Sequence, residues 1–141
     1  VGEGDGLGTT LNLPMPLFAT GDHYLAAIDG VITEVARNFS PTWIIISAGF
    51  DAHRNDPITE LGLSAGDYQL INDRLLQFAP PGKRLVVLEG GYDLDALRMS
   101  SAATLSAMLG RNYQPEAPTS GGPGEHVNNG VREFWQEHGL L

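Results

Sequence analysis

Two short stretches carry the residue types that do chemistry. In "WIIISAGFDAHRNDP" (43–57) an apolar, β-branched run ends in Ser47, Ala48 and Gly49, then sets Asp51, His53 and Asp56 close together. In "RLVVLEGGYDL" (84–94) a second apolar run leads into Glu89, Gly90, Gly91 and Tyr92. Carboxylates and an imidazole at such spacing can hold a metal or move protons. Asp51-Ala52-His53 has Asp-x-His spacing, and an extended segment points both side chains the same way. The same residues also suit turn chemistry, because Asp and Asn bond their own backbone and "NDP" starts turns. A catalytic zinc takes three protein ligands and keeps a position for water, so this loop alone is not a complete site. Tyr92 reads either as a core aromatic at a helix start or as a hydroxyl that donates to a developing oxyanion. The two glycines before it let the backbone swing close to a ligand.

The elements on either side decide whether these loops meet. Trp43–Ser47 and Arg84–Leu88 do not alternate in polarity, the pattern of strands buried on both faces of a parallel sheet. Thr9–Pro14 ("TTLNLP") predicts a further short strand. Apolar residues at three- and four-residue spacing (Tyr24, Ile28, Val31, Ile32, Val35) predict an amphipathic helix over 22–38, with Asp22 as N-cap. A second helix is predicted over 65–78, capped by Ser64, with Leu70, Ile71, Leu75 and Phe78 inward. A third runs over 94–109 and stops at Gly110. Residues 114–124 ("QPEAPTSGGPG") read as a Pro/Gly/Ser linker that resists packing, before a short last helix docked through Val131, Phe134 and Trp135. Strand–helix alternation implies an α/β fold, a parallel sheet with helices on both faces. Ligands in such sheets gather beyond the carboxyl ends of the strands, which brings the Asp51 and Tyr92 loops to one edge.

Composition narrows the function. The chain has 141 residues, enough for one domain with a core, and a net charge of −9 that leaves no basic patch for nucleic acid. With no Cys, a metal has only Asp, Glu or His as ligands. No apolar run is long enough to cross a bilayer and no secretory signal is visible, so a cytoplasmic location is expected. Opening on Val1 suggests a piece of a longer protein. "GEGDGLG" (2–8) lacks the glycine spacing of a dinucleotide loop and precedes a strand instead of joining strand to helix. His126 and His138 read as members of a solvated face.

Three segments, "GEGDGLGTTLNLPMP", "SPTWIIISAGFDAHRNDP" and "RLVVLEGGYDLDAL", together resemble the zinc-dependent histone deacetylase-like amidohydrolases. That family includes acetylpolyamine amidohydrolases and acetoin-utilization proteins, and the motif forms are nearer its class II and bacterial branches. The resemblance implies a partial arginase/deacetylase-type fold, with residues 1–110 the C-terminal part of the domain and 111–141 a linker and helix packed on it. It implies Asp51 as a zinc-ligand carboxylate and Tyr92 as the hydroxyl that polarises the scissile carbonyl. Ile58, Gly90 and Gly91 fall at the substrate channel, Asp56 shapes the loop, and His53 falls where the family has no ligand. The family's other two zinc ligands and its paired histidines have no counterpart here; Asp22-His23 has the wrong context. The implied cofactor is zinc, held weakly or not at all by this chain alone. The implied partners are the N-terminal part of the domain and an acetylated amine or acetyl-lysine substrate, with no nucleic acid or membrane. A truncated sheet with an apolar edge also favours a homo-oligomer, and a self-associating, non-catalytic module is the alternative.

Overall fold

The computed structural model describes residues 1–141. Two strands, β1 (Ile44–Ala48) and β2 (Arg84–Leu88), pair in parallel, with Ile44 opposite Arg84 and Ala48 opposite Leu88. Parallel strands need a long crossover, and α3 (Ala65–Leu75), extended by a 3-10 turn to Phe78, supplies it. Before β1 lie α1 (Gly21–Ala27), a π-helical turn (Ile28–Ile32) and α2 (Thr33–Phe39). After β2 come α4 (Leu94–Met108) and α5 (Glu125–Glu137). No helix is long and apolar enough to cross a membrane.

The core sits between the sheet and three helices. Ala48, Phe50, Leu63 and Tyr68 are buried together, with Tyr24, Ile46, Ile71, Val86 and Leu97 packed around them. The Phe50 ring meets Tyr68 edge-on, centroids 5.0 Å apart. Thus α1, α3 and α4 all cover the sheet face that carries Ile46, Ala48 and Val86. The opposite face carries Ile45 and Leu85, 66% and 48% exposed, flanked by exposed Trp43 and Val87. The strands carry apolar residues on both faces, as their lack of alternation indicates, and within this chain one of those faces is covered.

Helix boundaries follow local chemistry. The Ser64 hydroxyl accepts the Asp67 N–H while the Asp67 carboxylate accepts the Ser64 N–H at 2.8 Å, a capping box worth about 1 kcal/mol. Asp93 caps α4 by accepting the Ala96 N–H at 2.7 Å. Gly110 follows in the left-handed region (φ 64°), a conformation open to glycine without a Cβ penalty.

Six readings are corrected. Residues 9–14 form no strand, because the sheet offers them no ladder; Leu11 and Leu13 instead line a groove with Ile32 and Val35. The helix over 22–38 is broken at Gly30, whose φ −99° and ψ −110° are not helical. Its N-cap is Thr20, and Asp22 instead accepts from the Thr20 hydroxyl and the Gly121 N–H. On α3 Ile71 packs against the core as its spacing predicts, but the deeply buried positions include the polar Asp67, Gln69 and Asn72, while Leu70, Leu75 and Phe78 are only half-buried. In α5 it is Val127 and Trp135 that are buried, with Val131 half-buried and Phe134 exposed, its ring over His138.

The sixth correction matters most. Residues 114–124 are a strap bonded across the helix N-termini, not a packing-resistant linker. Thr119 donates to Asp67 from both its N–H and its hydroxyl, and its carbonyl accepts the Asp22 N–H. The Gly122 N–H donates to Thr20, and the Gly122 carbonyl meets His23 Nε2 at 2.6 Å. Pro and Gly content hid a segment whose polar partners lie far away in sequence.

Candidate active site

The parallel ladder runs past the strand ends: the Glu89 N–H donates to the Ala48 carbonyl at 3.0 Å and the Phe50 N–H to the Gly90 carbonyl at 2.9 Å. Gly49 and Gly90 therefore lie against each other, and the Asp51 carboxylate rests in the notch they leave. A Cβ at Gly49 would stand 2.7 Å from Asp51 Oδ1, and one at Gly90 3.1 Å from the same atom. The Asp51 backbone carbonyl accepts the Thr59 hydroxyl, while its carboxylate takes no hydrogen bond from the protein. A half-buried carboxylate without a protein partner is poised to receive an outside cation or proton donor.

Asp56 joins this loop to the Tyr92 turn. Its carboxylate, in a residue only 6% exposed, accepts the N–H groups of Tyr92 (2.7 Å), Asp93 (3.2 Å) and Ile58 (3.0 Å). Burial raises its pKa, but those three backbone donors and nearby His53 outweigh that and hold it below the usual carboxylate range. The Tyr92 side chain is 57% exposed, so it is not a core aromatic. Ile58 is likewise exposed at the loop tip. Gly91 has φ 127°, and a Cβ there would meet Phe50 Cβ at 3.0 Å, so this turn needs glycine.

His53 has a different role from the one its spacing suggests. It is fully buried, its Nε2 lies 2.7 Å from Glu116 Oε2, and its Nδ1 accepts the Asn55 N–H at 3.2 Å. Both ring nitrogens are occupied, which removes it as a ligand beside Asp51. Asp22 and His23 are committed to the strap in the same way. No group of three His, Cys, Asp or Glu is arranged to hold a metal ion. The residues of this chain therefore fit one ligand of a zinc site and not a whole one.

A comparison with known proteins decides the family. Residues 1–108 match the family described as "Histone deacetylase domain". The chain belongs to the histone deacetylase family. Within that family it is 42% identical over 114 residues to "Histone deacetylase 10, chloroplastic" of Oryza sativa subsp. japonica, covering 78% of this chain and 26% of that protein. It is 38% identical to a "Probable deacetylase" of Archaeoglobus fulgidus, covering 82% of this chain and 36% of that protein. The solved HDA15 HD domain superposes with a TM-score of 0.83 at 31% identity, over 99% of this chain and 38% of that one. The fold is accordingly an α/β piece of the deacetylase fold. The chain spans only part of the curated relatives it matches, from 12% of the length of one to 36% of another.

Two residues that hold these loops are missed by the sequence reading. Asp93 carried a readable signal, an Asp before a helical apolar pattern. Glu116 carried none, since its partners His53 and Arg54 lie 63 and 62 residues away.

Proposed function

We propose that this chain supplies one side of the active site of a zinc-dependent deacylase that cleaves acetyl-amide bonds of acetyl-lysine or acetylpolyamine type. The observation that carries this reading is the Asp51 carboxylate, held between Gly49 and Gly90 without a protein hydrogen bond, on the same edge as the Tyr92 turn. Asp51 would be one zinc ligand, and the remaining ligands and the general base come from the rest of the domain. When bound, zinc supplies Lewis acidity and an activated water. The Tyr92 hydroxyl, exposed and unengaged, donates to the oxygen of the scissile carbonyl as negative charge develops there. Asp56 fixes the backbone from which that hydroxyl projects. Ile58, Gly90 and Gly91 would line a channel for the acyl-bearing stem.

The same reading assigns an occupant to the bare sheet face. Trp43, Ile45, Leu85 and Val87 form an exposed apolar surface on paired strands, and the chain covers 38% of a solved deacetylase domain. The remaining part of the domain packs there. Hydrolysis of an acetyl-lysine peptide and an acetylpolyamine, by the chain with and without the preceding deacetylase-domain residues, tests the proposal. Turnover is expected only from the extended protein, and equal turnover by the chain alone would refute it.

That exposed face also favours a second reading, a self-associating module without catalysis. Sedimentation separates the two. A self-associating module forms defined oligomers whether or not the rest of the domain is present, whereas a piece of a deacylase becomes monodisperse once extended.

A further inference from the structure

Glu116 sits on the strap after α4, beyond the 108 residues that match the family, yet it reaches back to the loop that carries Asp51. Its Oε2 accepts His53 Nε2–H at 2.7 Å and the Ala65 N–H, at the start of α3, at 2.8 Å. Its Oε1 accepts from the Arg54 guanidinium at 2.6 Å. Because His53 Nδ1 accepts the Asn55 N–H, the ring's proton lies on Nε2, facing Glu116. We infer that Glu116 is a positioning residue for the Asp51 loop and the Tyr92 turn, acting through the buried His53 ring. The assignment of those two elements to a catalytic site rests on the reading proposed above.

The path from Glu116 is continuous. His53 is bonded at its N–H to the Phe50 carbonyl (3.2 Å) and at its carbonyl to the Asp56 N–H (2.8 Å), so it closes the turn that presents Asp51. Asp56 then holds the Tyr92, Asp93 and Ile58 N–H groups. Arg54, the second partner of Glu116, ties its own N–H to the Leu63 carbonyl, and Leu63 returns its N–H to Ala52. The loop from 50 to 63 is thus closed on itself, and Glu116 is the side chain outside it that grips it at two adjacent residues.

A purely fastening role for Glu116 is redundant. The strap is held independently by Ala117 on Ser64, Thr119 on Asp67, Gly121 on Asp22 and Gly122 on Thr20. Removing Glu116 leaves those four ties in place and strips the partners from His53 and Arg54. A buried imidazole N–H with no acceptor is costly, so the ring has to move, and the turn it closes moves with it.

Amide hydrogen exchange on the full chain reads this directly and needs no activity. Glu116→Ala is expected to speed exchange at Asp56, Ile58, Tyr92 and Asp93 by about tenfold or more, with Thr119 and the amides of β1 and α4 unchanged. Glu116→Gln keeps an acceptor for His53 and Ala65 and is expected to restore most of the protection. Should Glu116→Ala fail to fold, Glu116→Asp keeps the charge without the reach, and the same loop amides should loosen. Unchanged loop amides overturn the inference. So does acceleration by one factor across α4, β1 and Thr119 alike, which marks a global loss of stability. In the extended protein, absent turnover in every form including the unsubstituted one counts against the proposed function, while the exchange pattern still decides the role of Glu116.

Discussion

The carboxylate of Asp56 accepts the backbone N–H of Tyr92 at 2.7 Å, across 36 residues of sequence and from one strand-end loop to the other. Through this bond the loop that presents Asp51 and the turn that presents Tyr92 form one mechanical unit. Asp56→Ala removes the acceptor for three part-buried N–H groups at once. A loss of about 2–3 kcal/mol in chemical denaturation is expected. Faster exchange at the Tyr92 and Asp93 amides should accompany it.

Tyr92→Phe separates site from scaffold. The hydroxyl has no protein partner and the side chain is exposed, so stability should change by no more than about 0.5 kcal/mol. In the extended protein the same substitution removes the proposed oxyanion donor. Turnover should fall roughly a hundred- to a thousand-fold, the usual cost of about 2.7–4 kcal/mol, measured as kcat on an acetyl-lysine peptide.

The glycines of the notch divide by what they touch. At Gly90 a Cβ meets the Asp51 carboxylate, which can swing away, so Gly90→Ala should change stability little while displacing that carboxylate and lowering turnover in the extended protein. At Gly91 the backbone itself has φ 127° and the neighbour is Phe50. Gly91→Ala should therefore cost about 1–3 kcal/mol in stability. Parallel denaturation curves and kinetics of the two variants distinguish these outcomes.

Acid should loosen the same framework. Burial raises the pKa values of Asp56 and Glu116, yet hydrogen bonds from backbone donors (with His53 and Arg54 for Glu116) hold both below their ordinary 3.8 and 4.5. Groups with depressed folded-state pKa values stabilise the fold above the ordinary values, and that contribution is lost as pH falls through the folded ones. Unfolding midpoints should thus stay level from about pH 7 to 5 and decline below about pH 4.5. The decline should be shallower in Asp56→Asn. An equally steep decline in that variant would remove Asp56 as a cause.

Much of this framework is written in local sequence, and some of it is not. The two apolar runs, the Ser64 cap and the Gly110 stop are determined by neighbours a few residues away, so β1, β2, α3 and α4 appear where patterning puts them. The convergence of the Asp51 and Tyr92 loops follows from parallel pairing and was legible for the same reason. Thr9–Pro14 has a strand's composition, but a strand exists only with a partner, and local sequence does not reveal whether one is present. The strap was misread because Thr119 and Gly122 find Asp67, Thr20 and His23 only after folding. The family resemblance already sets His53 apart from the ligands, but what does hold it, Glu116, lies 63 residues away and leaves no mark in the local sequence.

The most direct test of the account is the metal content of the extended protein, measured by elemental analysis after exhaustive dialysis, with and without Asp51→Ala. About one zinc per chain is expected in the unsubstituted protein, as for a site of three protein ligands. Asp51→Ala should lose that zinc and acetyl-lysine hydrolysis, with the fold retained by circular dichroism. A full complement of zinc and undiminished hydrolysis in Asp51→Ala would contradict it.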